Sequence, residues 1–331
     1  MISSSTTPIG QPQPAKSRTA KFSLWGLAEA LGTVAFICTL AGFAGEWAWL
    51  LELTTHFRLQ YLVLLTGLGA VLAFGKRLKP AAVFLVGALL NAIVLAPWLF
   101  PASTPKPVGK TFRLMLLNVN TENTHHDRVL AEVRRSQPDV LLLMEVDNRW
   151  LSALQELTNP LPHTLLAPRE DNFGIALFSR LPLKSPDVVE LGDAGVPSIT
   201  TVIEFAERNL FLVGTHPLPP GNPENAGLRN EQLEKLAVTV AERKLPTLVV
   251  GDLNAAPWSP HFLKLERSAS LLDTGRASGW RPTWPTWFPP LWVPLDHCLV
   301  STELAVSSRH IGNGVGSDHY PLVIDLGFAA K

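Results

Sequence analysis

Apolar positions follow two different patterns along the chain. Between Leu24 and Phe100 they run almost without interruption, whereas from Phe112 onward they break into short runs divided by polar turns. Leu24–Ala44 is apolar apart from Glu29 and is long enough for a spanning helix of roughly 20 residues. A second run covers Leu59–Phe74, preceded by the aromatic segment Glu46–Phe57, and a third, Ala81–Phe100, stops at Pro101. The pattern predicts about three transmembrane helices over residues 24–100. They follow a Ser/Thr/Pro/Gln-rich tail, residues 1–23, that reads as disordered, and precede a Pro-rich linker, residues 101–110. A cleaved signal peptide is not expected, because the first run exceeds the length of an h-region and two more follow it.

Beyond the linker, short β-rich runs alternate with helical stretches. Strands are expected at Arg113–Val119, Asp139–Met144, Gly174–Phe178, Thr200–Phe205, Leu210–Gly214, Thr247–Val250, Asp296–Val300 and Leu322–Asp325. Helices are expected at His126–Arg135 and, after the turn-forming Pro217–Pro223, at about Glu224–Arg243. Mixed strands and helices over residues 111–331, with no fixed-period repeat, imply one α/β domain built as a layered sandwich.

Composition changes this picture in three ways. Of 331 residues, 28 are Lys or Arg and 28 Asp or Glu, a formal net charge of zero that excludes a polybasic nucleic-acid tail. The charges are uneven: residues 24–100 hold only Glu29, Glu46, Glu52, Arg58, Lys76, Arg77 and Lys79, while residues 111–331 hold 19 Lys/Arg against 25 Asp/Glu, a net of −6. Two cysteines, Cys38 and Cys298, exclude a disulfide framework and a Cys-rich zinc module, and read as small buried apolar groups.

Basic residues also set an orientation. Lys16, Arg18 and Lys21 precede the first span, and Lys76, Arg77 and Lys79 separate the second from the third, whereas the loop between the first two has only Arg58 with Glu46 and Glu52. Positive residues resist translocation, so the N-terminus is expected inside and three crossings export the domain from an inner or plasma membrane. Lys106, Lys110 and Arg113 after span three oppose this, so the bias is modest. The 16 residues of Leu59–Phe74 cover ~24 Å of a ~30 Å core, so this span must recruit part of Glu46–Arg58 or thin the bilayer. Glu29 is expected to reach the interface and Asn91 to bond a neighbouring helix, rather than to mark a transport path.

The strand-like runs repeatedly finish in acidic, amide or imidazole residues: Leu117-Asn118-Val119-Asn120, Leu143-Met144-Glu145-Val146-Asp147, Gly214-Thr215-His216-Pro217, Val250-Gly251-Asp252-Leu253-Asn254 and Gly316-Ser317-Asp318-His319-Tyr320-Pro321. Strand C-terminal ends are where sheets present ligand sites. Singly, each segment is an ordinary turn or cap; together and in this order they are specific. The series resembles the endonuclease/exonuclease/phosphatase superfamily, the deoxyribonuclease I-like fold that includes abasic-site endonucleases, neutral sphingomyelinases and inositol-polyphosphate 5-phosphatases. The resemblance covers about Thr111–Leu326, with supporting matches at Gly174–Arg180 and Arg229-x-x-Gln232.

It implies that Asn118, Glu145 and Asp318 bind the metal and that His216, Asp252, Asn254, Asp296 and His319 are catalytic, with Asp296 orienting His319. Asn120 stands where many members have another residue, which leaves its share in metal binding open. Oxygen ligands of this kind suit Mg²⁺ or Mn²⁺ better than Zn²⁺. Phosphate-ester hydrolysis also needs a base for water, which can be Asp252 or His319, and donors to the phosphoryl oxygens, which Asn254 and His216 supply. His125 and His126 read as solvated cap residues and His297 as structural, on the strand face opposite Asp296. His56, His163, His261 and His310 have no evident partner in the sequence.

Trp280–Trp292 contains four tryptophans and Phe288. Trp284 reads as loop packing; the rest is a headgroup-level loop, a self-packed loop or, behind these two, a base-stacking platform. The leading expectation is a membrane-anchored phosphoesterase acting outside the cytoplasm on a lipid headgroup or nucleic acid. An extracytoplasmic endonuclease is the alternative, weakened by the net −6, since nucleic-acid binding usually needs a basic surface. A membrane-tethered binding module that has lost catalysis is argued against by the complete constellation. The expected partners are the bilayer and the phosphate-ester substrate; nothing points to a protein partner.

Overall fold

A computed structural model describes residues 23–101 and 105–330. The segment read as a disordered tail, with Lys16, Arg18 and Lys21, lies outside the described residues, as do three residues of the Pro-rich linker. The fold is an α/β sandwich of two six-stranded sheets, preceded by a helical bundle.

Strand β1 (Phe112–Asn118) shows how the sequence builds the sandwich. Successive side chains of a strand point to opposite faces. Phe112, Leu114 and Leu116 enter the core between the sheets, while Met115 and Leu117 face an outer helical layer. The unbroken apolar run Leu114–Leu117 therefore marks a central strand covered on both sides. In the first sheet β1 pairs in parallel with β2 (Val140–Met144) and antiparallel with β12 (Leu322–Phe328). The sheet is completed by β3 (His163–Ala167), β4 (Ile175–Ser179) and β11 (Leu304–Ile311), in the order β11-β12-β1-β2-β4-β3. Helices α5 (His126–Ser136) and α6 (Asn148–Ala153) cover its outer face through Val129, Val133 and Trp150.

The second sheet contains β5 (Leu183–Glu190), β6 (Pro197–Phe205), β7 (Arg208–Thr215), β8 (Thr247–Asp252), β9 (Leu272–Asp273) and β10 (Asp296–Val300), ordered β5-β6-β7-β8-β10-β9. Helices α7 (Pro223–Ala241) and α8 (Pro260–Ala269) cover it; a short α9 (Gly275–Ser278) follows β9. The apolar pattern does not reveal β3 or β5, edge strands whose side chains are half or fully exposed and so lack an apolar face. It also passes over β9, which is two residues long, and β11, α6, α8 and α9.

The N-terminal helices are α1 (Leu24–Ala41), α2 (Trp49–Leu53), α3 (Arg58–Phe74) and α4 (Leu78–Leu99). Three segments are long and apolar enough to cross a membrane: Leu24–Ala44, Trp49–Phe74 and Leu78–Leu99. The second continues upstream of Leu59 through a 3₁₀ turn at Thr54–Phe57, reaching 26 residues. Gly32 meets the Phe84 ring where a Cβ would come within 2.1 Å, so the missing side chain lets α1 and α4 approach closely. Asn91 ties the three together, donating to Thr39 Oγ1 at 2.8 Å and accepting from Arg58 Nη1 at 3.2 Å. Glu29 pairs with Arg77 at 2.9 Å, at the end of the bundle away from the domain.

The other end of the bundle joins the sandwich. Leu95 and Trp98 share an apolar cluster with Ala256, Trp258, Val293 and Leu295. Trp98 Nε1 donates to Asp273 Oδ2 at 2.9 Å, Trp258 Nε1 to the Thr55 carbonyl at 2.6 Å and Gln60 Nε2 to the Trp292 carbonyl at 3.0 Å.

One glycine controls how closely β8 approaches β7. Gly251 has φ +155°, and a Cβ there would lie 1.8 Å from the Thr215 carbonyl oxygen of the adjacent strand. Gly251→Ala should therefore cost roughly 2–4 kcal/mol. Thermal unfolding followed by circular dichroism checks this, and an unchanged midpoint would mean that β7 and β8 can separate freely.

Candidate active site

The C-terminal ends of β1, β2, β7 and β8 meet at one end of the sandwich. Two bonds cross between the sheets there: Asn118 Nδ2 to Asp252 Oδ2 at 3.4 Å, and the Asp252 amide to Met144 Sδ at 3.1 Å. Asn118 is the last residue of β1, and Glu145 follows β2 in a left-handed conformation, φ +62°. His216 follows β7; Asp252 ends β8; Asp296 opens β10 directly opposite Asp252 in the ladder. Ser317–His319 precede β12, with Ser317 Oγ donating to the Asn118 carbonyl at 2.7 Å and accepting from the His319 amide at 3.0 Å.

These residues form two connected groups. Asp296 Oδ2 lies 2.7 Å from His319 Nδ1, which leaves Nε2 of the same ring 3.5 Å from Asp252 Oδ2; His216 Nε2 approaches that oxygen to 3.6 Å. Asp252 thus sits between two imidazoles. Beside it, Glu145 Oε1 accepts from Asn118 Nδ2 at 2.7 Å and Oε2 from the Thr121 amide at 3.2 Å. Asp318 accepts from Asn120 Nδ2 at 2.8 Å and from Trp284 Nε1 at 3.0 Å. Asn254, also left-handed at φ +49°, donates from Nδ2 to the Pro217 carbonyl at 2.9 Å. Uncommon left-handed conformations at Glu145, Asn254 and Asn120 concentrate backbone strain at this site.

Electrostatics separates the groups. Burial raises the Glu145 carboxyl above its ordinary range, against hydrogen bonds from Asn118 and Thr121. Burial likewise raises Asp252, opposed by the two imidazoles, and keeps His216 low and hence neutral. His319 goes the other way: burial is outweighed by the carboxylates of Asp296 and Asp252, which push it up to about 10. For Asp296, burial is outweighed by the charge and hydrogen bond of His319, which hold it below the ordinary value.

A cavity of about 680 Å³ opens over these groups. Among the described residues its lining includes the carboxylates of Glu145, Asp171, Asp252 and Asp318 but no Lys or Arg. Glu145, Asp252 and Asp318 outnumber the one cationic side chain in the lining, His319, and that excess of carboxylates fits a hard divalent cation, which carries the compensating charge. Glu145, Asp318 and Asp252 supply carboxylate oxygens suited to it, while Asn118 turns Nδ2 toward Glu145 and Asp252 and accepts the Asn120 amide with Oδ1. Among the described residues Asp252, Asp296 and His319 also offer ligand atoms within 4.8 Å of one another. His319 Nδ1 and Asp296 are, however, already bonded to each other. His216 Nδ1 and Asp296 Oδ1 are buried with no hydrogen-bond partner.

All eight residues singled out from the sequence therefore come together. Arg229 and Gln232 sit beneath them: Arg229 donates to the Asn254 carbonyl at 2.8 Å and Gln232 to Thr215 Oγ1 at 2.9 Å. His297 lies on the opposite face of β10, 2.8 Å from the Ala255 carbonyl and packed on Phe262. His125 makes no side-chain cap bond, and His126 packs edge-on against Trp150. The tryptophan tract divides. Trp284 holds Asp318, Trp280 stacks on Trp258, and Trp287 and Phe288 stack on each other at the surface. Sequence reasoning missed Leu53, His56, Phe57, Phe173, Pro219 and Pro220, which line the cavity. No motif marks them, because their role arises only from what the fold places opposite the catalytic groups.

An α/β sandwich with carboxylates, amides and imidazoles gathered at the strand ends defines a class of hydrolytic protein, and comparison identifies the family. The Endonuclease/Exonuclease/phosphatase family matches residues 115–319, and the chain belongs to it. Its members hydrolyse phosphate esters. The chain resembles the endonuclease/exonuclease/phosphatase from Beutenbergia cavernae DSM 12333 at 21% identity and TM-score 0.55, over 67% of this chain and 72% of that one. It also resembles the human Nocturnin catalytic domain with bound sulfate anion, at 22% identity and TM-score 0.54 over 68% and 97%. A third likeness is the 3′ phosphatase NExo from Neisseria bound to product DNA hairpin, at 17% identity and TM-score 0.52 over 64% and 98%. At these identities the likeness establishes the fold. No curated protein matches the chain by sequence.

The His319–Asp296 pair makes a direct prediction. A carboxylate at 2.7 Å stabilises the imidazolium, so Asp296→Asn should lower the His319 pKa from about 10. Histidine side-chain NMR titration of the metal-free protein reads the change; an unaltered titration would leave Asp252 as the sole support of that charge.

Proposed function

We propose that this chain is a membrane-anchored, divalent-metal-dependent phosphoesterase whose catalytic domain lies outside the cytoplasm. The observation that carries the reading is the line Asp296–His319–Asp252 beside a carboxylate-rich pocket whose lining has no basic side chain other than histidine. Glu145, Asn118 and Asp318 would hold Mg²⁺ or Mn²⁺, which when bound neutralises phosphoryl oxygens and replaces the missing basic side chains.

The chain's own groups then divide the remaining work. Asp252 orients the attacking water, whose oxygen bonds to phosphorus while the ester P–O bond breaks. His319, protonated and fixed through Nδ1 by Asp296, gives its Nε2 proton to the leaving ester oxygen, and Asp252 receives the water's proton. Neutral His216 and the second N–H of the Asn254 amide donate to the phosphoryl oxygens as charge builds there. An extracytoplasmic nuclease is disfavoured by the domain's net −6 and by a pocket that offers no Lys or Arg to a nucleic-acid backbone.

For orientation, Lys76 and Arg77 lie at the end of the bundle away from the domain, joined there by the Glu29 pair. Positive charge at that end supports retaining it in the cytoplasm.

Asp252→Asn and His319→Ala should each lower turnover by ~10²–10⁴, whereas His297→Ala, on the far face, should change it much less. Glu145→Gln and excess chelator should each abolish activity of the full-length protein; full turnover in chelator would overturn the metal requirement.

Topology is checked separately. A membrane-impermeant maleimide applied to cells freed of any outer barrier should label Glu122→Cys on the domain and spare Lys76→Cys. The reverse pattern would place the active site in the cytoplasm.

A further inference from the structure

The active-site cavity is not made by the family fold alone. Leu53, His56 and Phe57 line it together with Glu145, His216, Asp252 and His319, yet they lie far upstream of the matched stretch 115–319. They belong to the domain-side end of Trp49–Phe74, one of the segments long and apolar enough to span a bilayer. The membrane segment therefore supplies one wall of the pocket, and the catalytic groups supply its floor. Other lining groups, Phe173, Pro219, Pro220 and Leu295, are also apolar.

This wall is locked to the floor. Glu52, next to Leu53, is buried and accepts from Arg229 and, at 2.6 Å, from Ser259 Oγ; the same Arg229 donates to the Asn254 carbonyl. The Thr55 carbonyl accepts from Trp258. Exposed apolar side chains cluster around the same junction. Trp47 and Leu50 flank the segment at 84% and 58% exposure, and Trp287, at 70%, belongs to the loop whose Trp292 carbonyl is held by Gln60 of α3. Large apolar groups exposed at a helix-to-domain junction suit the headgroup level of a bilayer.

We infer that the pocket takes a phosphate ester carried on an apolar chain from the surrounding bilayer, with the phosphate on the polar floor and the chain lying along Leu53 and Phe57. The inference rests on the phosphoesterase reading above and adds the substrate class. The cavity is one-sided in polarity: the floor has the groups that handle a phosphate, and the wall has the apolar Leu53 and Phe57 with His56 as its one polar side chain. A nucleic acid would present further charged phosphates to that wall, where no cationic side chain meets them. An apolar chain buries methylenes there instead, each worth about fourfold in affinity.

The test uses the full-length chain in phosphatidylcholine nanodiscs with Mg²⁺ and a series of para-nitrophenyl phosphodiesters whose second ester group is methyl, butyl or octyl, alongside plasmid DNA. The wild-type chain should prefer octyl to methyl by at least about tenfold in kcat/KM, mainly through KM. Partitioning into the disc also favours octyl, but equally for every variant. Leu53→Ser and Phe57→Ser should therefore lower the octyl-to-methyl ratio by about tenfold, whereas Phe57→Leu, which keeps the apolar surface, should retain it. The ratio is read on active protein, so a variant that merely loses folded enzyme leaves it unchanged. A ratio equal to wild type in active Ser variants, or plasmid DNA cleaved in preference to the octyl ester, would overturn the inference while leaving the phosphoesterase reading standing. No hydrolysis of any ester with Mg²⁺ or Mn²⁺ would overturn both.

Discussion

Glu52 is a carboxylate from the N-terminal helical bundle, buried against the α/β sandwich, and much of the architecture depends on its being satisfied there. An unpaired charge removed from water costs several kcal/mol. Glu52 escapes that penalty only because Arg229 of α7 and Ser259 at the start of α8 both reach it. Arg229 is equally buried and shares its donors between Glu52 and the Asn254 carbonyl. Neither partner can be withdrawn without stranding the other. The segment Trp49–Phe74, helix α7 and the loop bearing Asn254 are thereby held in one arrangement, and the pocket wall above the candidate site follows from it.

The catalytic floor obeys a second constraint of the same kind. Strand ends from both sheets bring Glu145, Asp252 and Asp318 together, and among the described residues no Lys or Arg lines the cavity beside them. Part of the charge is balanced within the cluster by His319, which Asp296 and Asp252 hold in its protonated form. The rest, centred on Glu145, has only amide donors from Asn118 and Thr121. That imbalance suits a divalent cation and a phosphate ester together, whereas a purely structural cluster would be expected to recruit an arginine.

Legibility in the sequence differed between elements for physical reasons. Central strands β1 and β2 are covered on both faces and declare themselves by the unbroken apolar runs Leu114–Leu117 and Val140–Met144; β10 begins and ends at the expected residues. Edge strands β3 and β5 bury little and carry no such signature. The site residues were readable because each lies beside a strand in a short polar motif: Asn118, Glu145, His216 and Asp252 with Asn254 end or follow one, and Asp318 with His319 precede β12. Trp284 was read only as packing, and its bond to Asp318 depends on a loop path that composition does not encode.

By itself, the sequence determined the two regimes of hydrophobicity, the α/β class and the polar residues that end the strands, because burial patterns and turn chemistry are local properties. It also marked Asn91 as a helix-to-helix bond and His297 as facing away from Asp296, since helical neighbours and strand alternation are short-range rules. Only the tertiary structure decided that Leu53 and Phe57 stand over the active site, that Glu52 joins Arg229, and that Asp252 lies between two histidines. Those relations connect positions far apart in the chain, such as Glu52 with Arg229 and Ser259. They arise from the packing of whole elements, which no local pattern of residues specifies.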